Sequence, residues 1–121
     1  MRETLLVVLM AAGLATLAAL GRMPLGQAVV VGGWLIGGGL VVGTPAGVLY
    51  HVQLRRELMR AGGVPRGWIW RPTELHALVP EHDRMRFLPS FWLGAVACGF
   101  VFFGCAVVFI SAMSDLMGLG R

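Results

Sequence analysis

The chain has no lysine, so all 10 basic residues among its 121 are arginines. Charged residues make up only 13% of the chain, whereas 57% of the residues are hydrophobic and the mean hydropathy is +0.78. This composition excludes an ordinary soluble domain and is typical of a membrane protein with a single domain. The net charge of +4 does not indicate nucleic-acid binding. The arginines are concentrated between apolar runs, where membrane topology accounts for them.

Residues and motifs that carry catalysis are also missing. The sequence contains no HExxH, P-loop, GxSxG or paired-cysteine zinc pattern, so we expect no enzyme activity. The two cysteines, Cys98 and Cys105, share one apolar run. Their Cα atoms would be about 10 Å apart on a helix, which is too far for a disulfide. No Asp, Glu, Lys or Arg lies inside the apolar runs, which argues against a pump or a coupled transporter.

Three apolar runs are present, at residues 4–20, 27–50 and 90–112. A helix of about 20 mostly apolar residues crosses the hydrocarbon core of a bilayer. We therefore predict an all-α integral membrane protein with three transmembrane helices. The first run is short, and the alternative is a secretory signal peptide. Glu3 is unusual in front of such a signal, so a retained helix is favoured.

The connector at 21–26 is short, which predicts an antiparallel hairpin of the first two spans. The second span is predicted to continue as a helix over 51–61, with Leu54, Leu58 and Ala61 on one side, and to end at Gly62 and Gly63. The remainder of the arginine-rich segment 51–89 is predicted as an interfacial loop with short helices at 73–79 and 81–86. Residues 114–121 are predicted as a short tail.

Glycines form two faces on the second span. Gly39, Gly43 and Gly47 repeat every fourth residue, and Gly32 joins them, whereas Gly33 and Gly37 lie about a third of a turn away. Small residues let helix backbones approach closely in a membrane. The two faces therefore predict two close neighbours, which are either the other helices of this chain or one such helix and a partner subunit.

The first and third spans carry small residues as well. Both faces are predicted to pack against other helices. The face on the first span consists of Ala11, Ala12, Ala15, Ala18 and Ala19. The face on the third span includes Gly94, Ala97, Cys98, Val101, Gly104, Cys105, Val108, Ser111 and Ala112.

Aromatic residues and arginines accompany each other next to the second and third spans. Tryptophan with arginine at headgroup depth is the usual interfacial anchor, and it is also enriched where proteins dock. Both interpretations stay open for this set, which comprises Arg66, Trp68, Trp70, Arg71, Phe87, Phe91 and Trp92.

His51 is the one residue in the sequence that suggests a cofactor. It follows the second span directly and, as an imidazole beside a membrane helix, could ligate haem or chlorophyll or contact a quinone. The alternative is an ordinary interfacial polar residue. A second polar cluster matches no metal-binding spacing and is expected to be a solvated, salt-bridged surface; it contains Glu74, His76, Glu81, His82 and Asp83.

The distribution of arginine predicts an orientation. Seven arginines lie in 51–89, and the connector contains only Arg22. The positive-inside rule then places the long segment and the N-terminus in the cytoplasm and the C-terminus in the periplasm of a bacterial inner membrane. The surplus of arginine over the four acidic residues of this segment also favours anionic lipid headgroups.

In size and three-span layout the chain is similar to the membrane anchors of succinate dehydrogenases, but it has no mid-span histidine as a haem ligand, so we assign no family. We expect a small, non-catalytic accessory or scaffolding subunit of a larger inner-membrane complex, respiratory or photosynthetic, with other membrane subunits as partners. The alternatives are a cofactor-bearing redox anchor that uses His51 and a self-assembling, pore-type protein.

Overall fold

The computed structural model describes residues 1–118, whose regular structure is entirely helical. The elements are α1 (Arg2–Leu20), α2 (Leu25–Arg60), a 3₁₀ helix (Glu74–Leu78), α3 (Glu81–Arg84) and α4 (Leu88–Leu116). Helices α1, α2 and α4 are each long and apolar enough to cross a membrane, by length and composition. The chain is therefore all-helical with three candidate spans, which indicates a multi-pass membrane protein.

The boundaries of the elements follow the sequence signals closely. The second span and its extension form one continuous helix, α2, and α4 continues to Leu116, so the predicted tail is helical at its start. Residues 119–121 of that tail lie outside the described residues. The connector is tight because the Gly21 N–H donates to the Leu17 carbonyl at 2.8 Å, and the Gln27 N–H donates to the Pro24 carbonyl at 2.9 Å.

Internal contacts divide the chain into two compact units. One consists of Met1–Gly39 with the chain from Gly99 onward, and the other is Leu40–Cys98. Each unit contains part of α2 and part of α4. The assignment of the whole chain to a single membrane domain stays a prediction.

In the first unit, α2 and α4 approach each other through glycine. A Cβ atom on Gly32 would lie 2.8 Å from the carbonyl oxygen of Gly104, and a Cβ on Gly104 would lie 2.8 Å from that of Gly32. Both residues are buried. The helix backbones touch here because neither residue has a side chain, which is the close contact expected of small residues between membrane helices.

The contact face of α1 differs from the predicted one. Ala11, Ala15 and the other alanines of the predicted face are all exposed. Helix α1 is in contact near its C-terminal end, where Gly21 meets the Ile110 side chain and the Ser111 hydroxyl donates to the Leu20 carbonyl at 3.4 Å. Small residues occur on several faces of α1, so their positions alone did not identify the face in contact.

The predicted face of α4 needs a similar correction. Ala97, Gly104 and Ser111 are buried as expected, but Cys98 and Cys105 are exposed. Each cysteine follows a buried small residue by one position and is therefore turned about 100° away from the contact. The face in contact is narrower than the predicted face.

Candidate functional site at the arginine-rich end of α2

In the second unit, the chain after α2 folds back against the last turns of that helix. The Gly63 N–H donates to the Leu58 carbonyl at 3.0 Å, and Gly62 and Gly63 have φ angles of +126° and +134°. Backbone with a positive φ is natural for glycine and strained for other residues. The glycine pair therefore ends α2 as predicted.

The returning segment builds a small hydrophobic core. Its buried members are spaced by four residues along α2, at Tyr50, Leu54 and Leu58, and they pack with Val79 and Phe87. The prediction of one buried side is confirmed for Leu54 and Leu58 but is wrong for Ala61, which is exposed. The segment 51–89 is therefore a folded structure with its own core, which differs from the predicted interfacial loop.

A hydrogen bond between two aromatic residues lies within this core. Tyr50 Oη is 2.6 Å from His76 Nε2, and the ring centroids of His76 and Phe87 are 5.0 Å apart. Burial, followed by the positive charge of Arg84, lowers the pKa of the His76 imidazole below its ordinary value of 6.5. The neutral ring is thereby favoured, and its Nε2 shares a hydrogen bond with the Tyr50 hydroxyl. The expectation of a solvated surface is wrong for His76.

A buried carboxylate joins α2 to the segment before α4. Glu57 Oε1 accepts from Arg60 at 2.7 Å and from Arg86 at 3.4 Å, and its side chain is only 6% exposed. Both arginines keep more than half of their side-chain surface exposed, so their charges stay hydrated. The arrangement satisfies the buried carboxylate and has no group positioned for chemistry.

A groove lies beside α2 on the side of His51. Its volume is about 490 Å³, and its lining includes Gly43, Gly47, His51, Arg55, Trp68 and Ile69. A side chain at Gly47 would enter open space, and the Trp68 ring lies 5.9 Å from the His51 ring, centroid to centroid. The part of the groove formed by Gly43, Gly47 and Ile69 is apolar. The part formed by His51 and Arg55 carries an imidazole and a guanidinium.

The orientation of His51 is fixed by its own helix. Nδ1 lies 2.8 Å from the Gly47 carbonyl oxygen. Because a carbonyl only accepts hydrogen bonds, Nδ1 carries the proton that is donated. In the neutral ring, Nε2 then holds the free lone pair. Histidines that ligate metals usually have this second hydrogen bond, so the predicted cofactor role of His51 is chemically feasible.

Arginines of the segment 51–89 fall into two groups. Arg60, Arg71 and Arg86 form ion pairs with carboxylates, and Arg84 donates to the Val79 carbonyl at 3.0 Å. The second group is Arg55, Arg56 and Arg66, which have no carboxylate partner among residues 1–118. Of these three, Arg55 lines the groove.

The predicted packing glycines are distributed over different environments. In the first unit Gly32 and Gly39 are buried, whereas Gly33 and Gly37 are exposed with open space where a side chain would be. In the second unit, a Cβ on Gly43 would lie 3.0 Å from that of Ala97. A Cβ on Gly94 would lie 3.7 Å from the backbone nitrogen of Gly47.

The predicted interfacial aromatics also separate. Trp70 and Trp92 are largely exposed, Trp68 lines the groove, and Phe87 and Phe91 belong to the core around Tyr50. Of their arginine neighbours, Arg66 is exposed, and Arg71 pairs with Glu74 at 2.9 Å on the surface. An interfacial belt or a docking surface would therefore consist of the tryptophans rather than the phenylalanines.

The contact of Tyr50 with His76 and the buried ion pairs of Glu57 were missed by reasoning from the sequence. The four-residue spacing of Tyr50, Leu54 and Leu58 was the available signal for the α2 side of this core. Nothing comparable marks His76, because its partner Tyr50 lies 26 positions away in the chain.

No group of three or more His, Cys, Asp or Glu residues in the described part of the chain is arranged to hold a metal ion. Comparisons of the chain with protein-family models, with curated proteins and with solved structures found no match.

Proposed function

We propose that the chain is a small, non-catalytic accessory subunit of a larger complex in a bacterial inner membrane, where it acts as a packing element. The long segment 51–89 and the N-terminus are cytoplasmic in this proposal, and the C-terminus is periplasmic, since seven arginines lie between the second and third spans. A respiratory or photosynthetic complex is the kind of host that we favour.

One observation carries the proposal. Helix α2 has two glycine faces, and the described residues meet them differently: Gly32 on one face contacts Gly104, whereas Gly33 and Gly37 form the other face, where an added Cβ would have nothing within 4 Å. Against lipid tails, an exposed glycine face gains little. Against another helix, it permits close backbone contact and the dispersion energy that drives association in membranes.

The exposed surface of α1 supports the same proposal. Helix α1 has no buried residue, and Leu5, Leu6 and Leu9 are each more than half exposed. A span with so few contacts in its own chain has nearly all of its surface available to lipid or to neighbouring subunits.

The test is a pull-down of a tagged copy in mild detergent, followed by mass spectrometry. The informative variant carries Gly33→Leu and Gly37→Leu, and the matched control is Gly38→Leu, since Gly38 is also open but points about 100° away from Gly37. We expect stoichiometric membrane proteins to co-purify with the wild type and the control, and to be lost from the double variant.

Two results would count against the accessory role. Recovery of the chain alone would contradict it, and equal recovery of partners by both variants would show that this face is not the contact. A homo-oligomer that is lost in the double variant would instead favour the self-assembling, pore-type protein. Gly43→Leu is unsuitable for this purpose, because Gly43 faces Ala97 of the same chain.

A second candidate function is a cofactor-bearing redox anchor. It is favoured by the hydrogen bond from His51 Nδ1 to the Gly47 carbonyl, which leaves Nε2 able to ligate iron or magnesium beside a groove of about 490 Å³. The absorption spectrum of the purified protein tests it. A visible band that His51→Leu abolishes would support this role, and a colourless preparation without quinone would exclude it.

A further inference from the structure

The groove beside α2 combines apolar and cationic surface in a fixed order. Gly43, Gly47 and Ile69 contribute its apolar part, and His51 and Arg55 follow along the same helix at intervals of four residues. Residues at this spacing lie on one side of a helix. The groove therefore begins in the charge-free part of α2 and ends at the first charged side chain after it, Arg55.

We infer that this groove binds one anionic phospholipid of the surrounding bilayer, with its phosphate at Arg55 and an acyl chain along Gly43 and Gly47. Charge complementarity carries this inference, because Arg55 has no carboxylate partner among the described residues although other arginines of the same segment do. A guanidinium holds a phosphate through two parallel hydrogen bonds, and Arg55 is the groove's own cationic group.

The remaining lining fits the same ligand. The backbone exposed at Gly47 leaves room for an acyl chain, since nothing lies within 4 Å of a Cβ placed there. Trp68 borders the groove at the level of His51, and indole rings favour the headgroup region of a bilayer. The inference rests on the proposed insertion of α2 in a membrane. Its test therefore distinguishes a chain that does not insert from one that inserts without binding the lipid.

The test uses the fluorescence of Trp68 in lipid nanodiscs. The exposed Trp34, Trp70 and Trp92 are replaced by phenylalanine, so that Trp68 is the sole indole in the chain. Quenching is compared between phosphatidylglycerol and phosphatidylcholine that carry bromine on their acyl chains. One guanidinium near the membrane surface corresponds to a preference of about fivefold for the anionic lipid.

Substitutions at Arg55 and Gly47 identify the groups that bind. Arg55→Gln is expected to abolish the preference, and Arg55→Lys to retain most of it. The adjacent Arg56→Gln is the matched control, because Arg56 is also exposed and unpaired in the described chain but does not line the groove. Gly47→Leu is expected to reduce quenching by both lipids, since its side chain would occupy the groove without meeting another atom.

The outcomes are distinct. Equal quenching of the wild type by both lipids, or a preference that survives Arg55→Gln, overturns the lipid site while leaving membrane insertion intact. A visible absorption band that depends on His51 also overturns it, because a pigment would then occupy the groove. Failure of the chain to enter nanodiscs overturns both this inference and the proposed function.

Discussion

Tyr50 Oη lies 2.6 Å from His76 Nε2 and so joins the end of the charge-free part of α2 to the 3₁₀ helix. Both rings contact Phe87, with ring centroids 6.0 Å and 5.0 Å away. This half-buried polar contact lies beside the apolar core and favours one alignment of the returning segment, because a polar pair is satisfied in fewer alignments than an apolar surface.

Tyr50→Phe is expected to loosen the returning segment without unfolding α2. The substitution removes the hydroxyl and leaves His76 Nε2 without its partner, at a cost of about 1 kcal/mol. Trypsin cleavage after Arg66 should then become about fivefold faster, provided that cleavage follows the open population. Trp70→Phe, at a residue that is 87% exposed, should leave the cleavage rate unchanged. Equal rates for Tyr50→Phe and wild type would contradict a stabilising role for the hydrogen bond.

The stability of this segment is expected to depend on pH through His76. Its folded-state pKa is lowered by burial and by Arg84, whereas the unfolded chain titrates near 6.5. Between these two values the unfolded chain binds more protons than the folded one. The contribution of His76 to the free energy of unfolding is therefore fully present above about pH 6.5. It is lost as the pH drops through the lowered pKa.

Thermal unfolding in detergent, followed from about pH 8 to about pH 5, measures this dependence. The comparison is with His76→Phe, which keeps an aromatic ring against Phe87 and Phe91 but cannot titrate. The acid-induced loss of stability should be smaller in the variant than in the wild type. Identical pH profiles would assign the effect to other groups, such as the exposed His82.

The long helices and the short helices of the arginine-rich segment could be predicted from the sequence, whereas the core that this segment builds could not. Length and hydropathy determine a candidate span almost alone, so α1, α2 and α4 were predictable. Burial within 51–89 depends on contacts such as Tyr50 with His76, which are 26 positions apart and have no local pattern. Similarly, Cys98 and Ala97 are both small, and only the approach of α2 determines which of them is buried.

Neighbouring glycines in α2 should respond oppositely to the same substitution. Gly32→Ala places a Cβ 2.8 Å from the Gly104 carbonyl oxygen, so the helices must separate, at a cost of about 1–3 kcal/mol. Gly33→Ala meets nothing within 4 Å and gains helix propensity, so within the isolated chain it should be neutral or slightly stabilising. Thermal unfolding of the two purified variants measures the difference. Similar stabilities would show that α2 and α4 do not approach at Gly32.

Glu57 is expected to matter more than the other carboxylates of the segment. Glu57→Gln keeps the shape of the side chain but weakens its bonds with Arg60 and Arg86, so the free energy of unfolding should fall by about 1–2 kcal/mol. Glu74→Gln is the matched control, because its pair with Arg71 is exposed on both sides and should contribute less than about 0.5 kcal/mol. Equal effects of the two substitutions would show that burial of Glu57 has no energetic consequence.

The orientation of the chain in the membrane is tested by reporters fused after Gly63 and after Arg121, although Arg121 itself lies outside the described residues. A reporter that is active only in the cytoplasm should work at Gly63, and one that is active only in the periplasm should work after Arg121. The reason is the concentration of arginine in 51–89 compared with the lone Arg22 of the connector. Because α4 is the candidate span between the two fusion sites, the pair of fusions also tests whether α4 crosses the membrane. Activity of the same reporter at both sites would contradict a crossing by α4, and exchange of the two results would place the arginine-rich segment, with its groove and its unpaired Arg55, outside the cytoplasm.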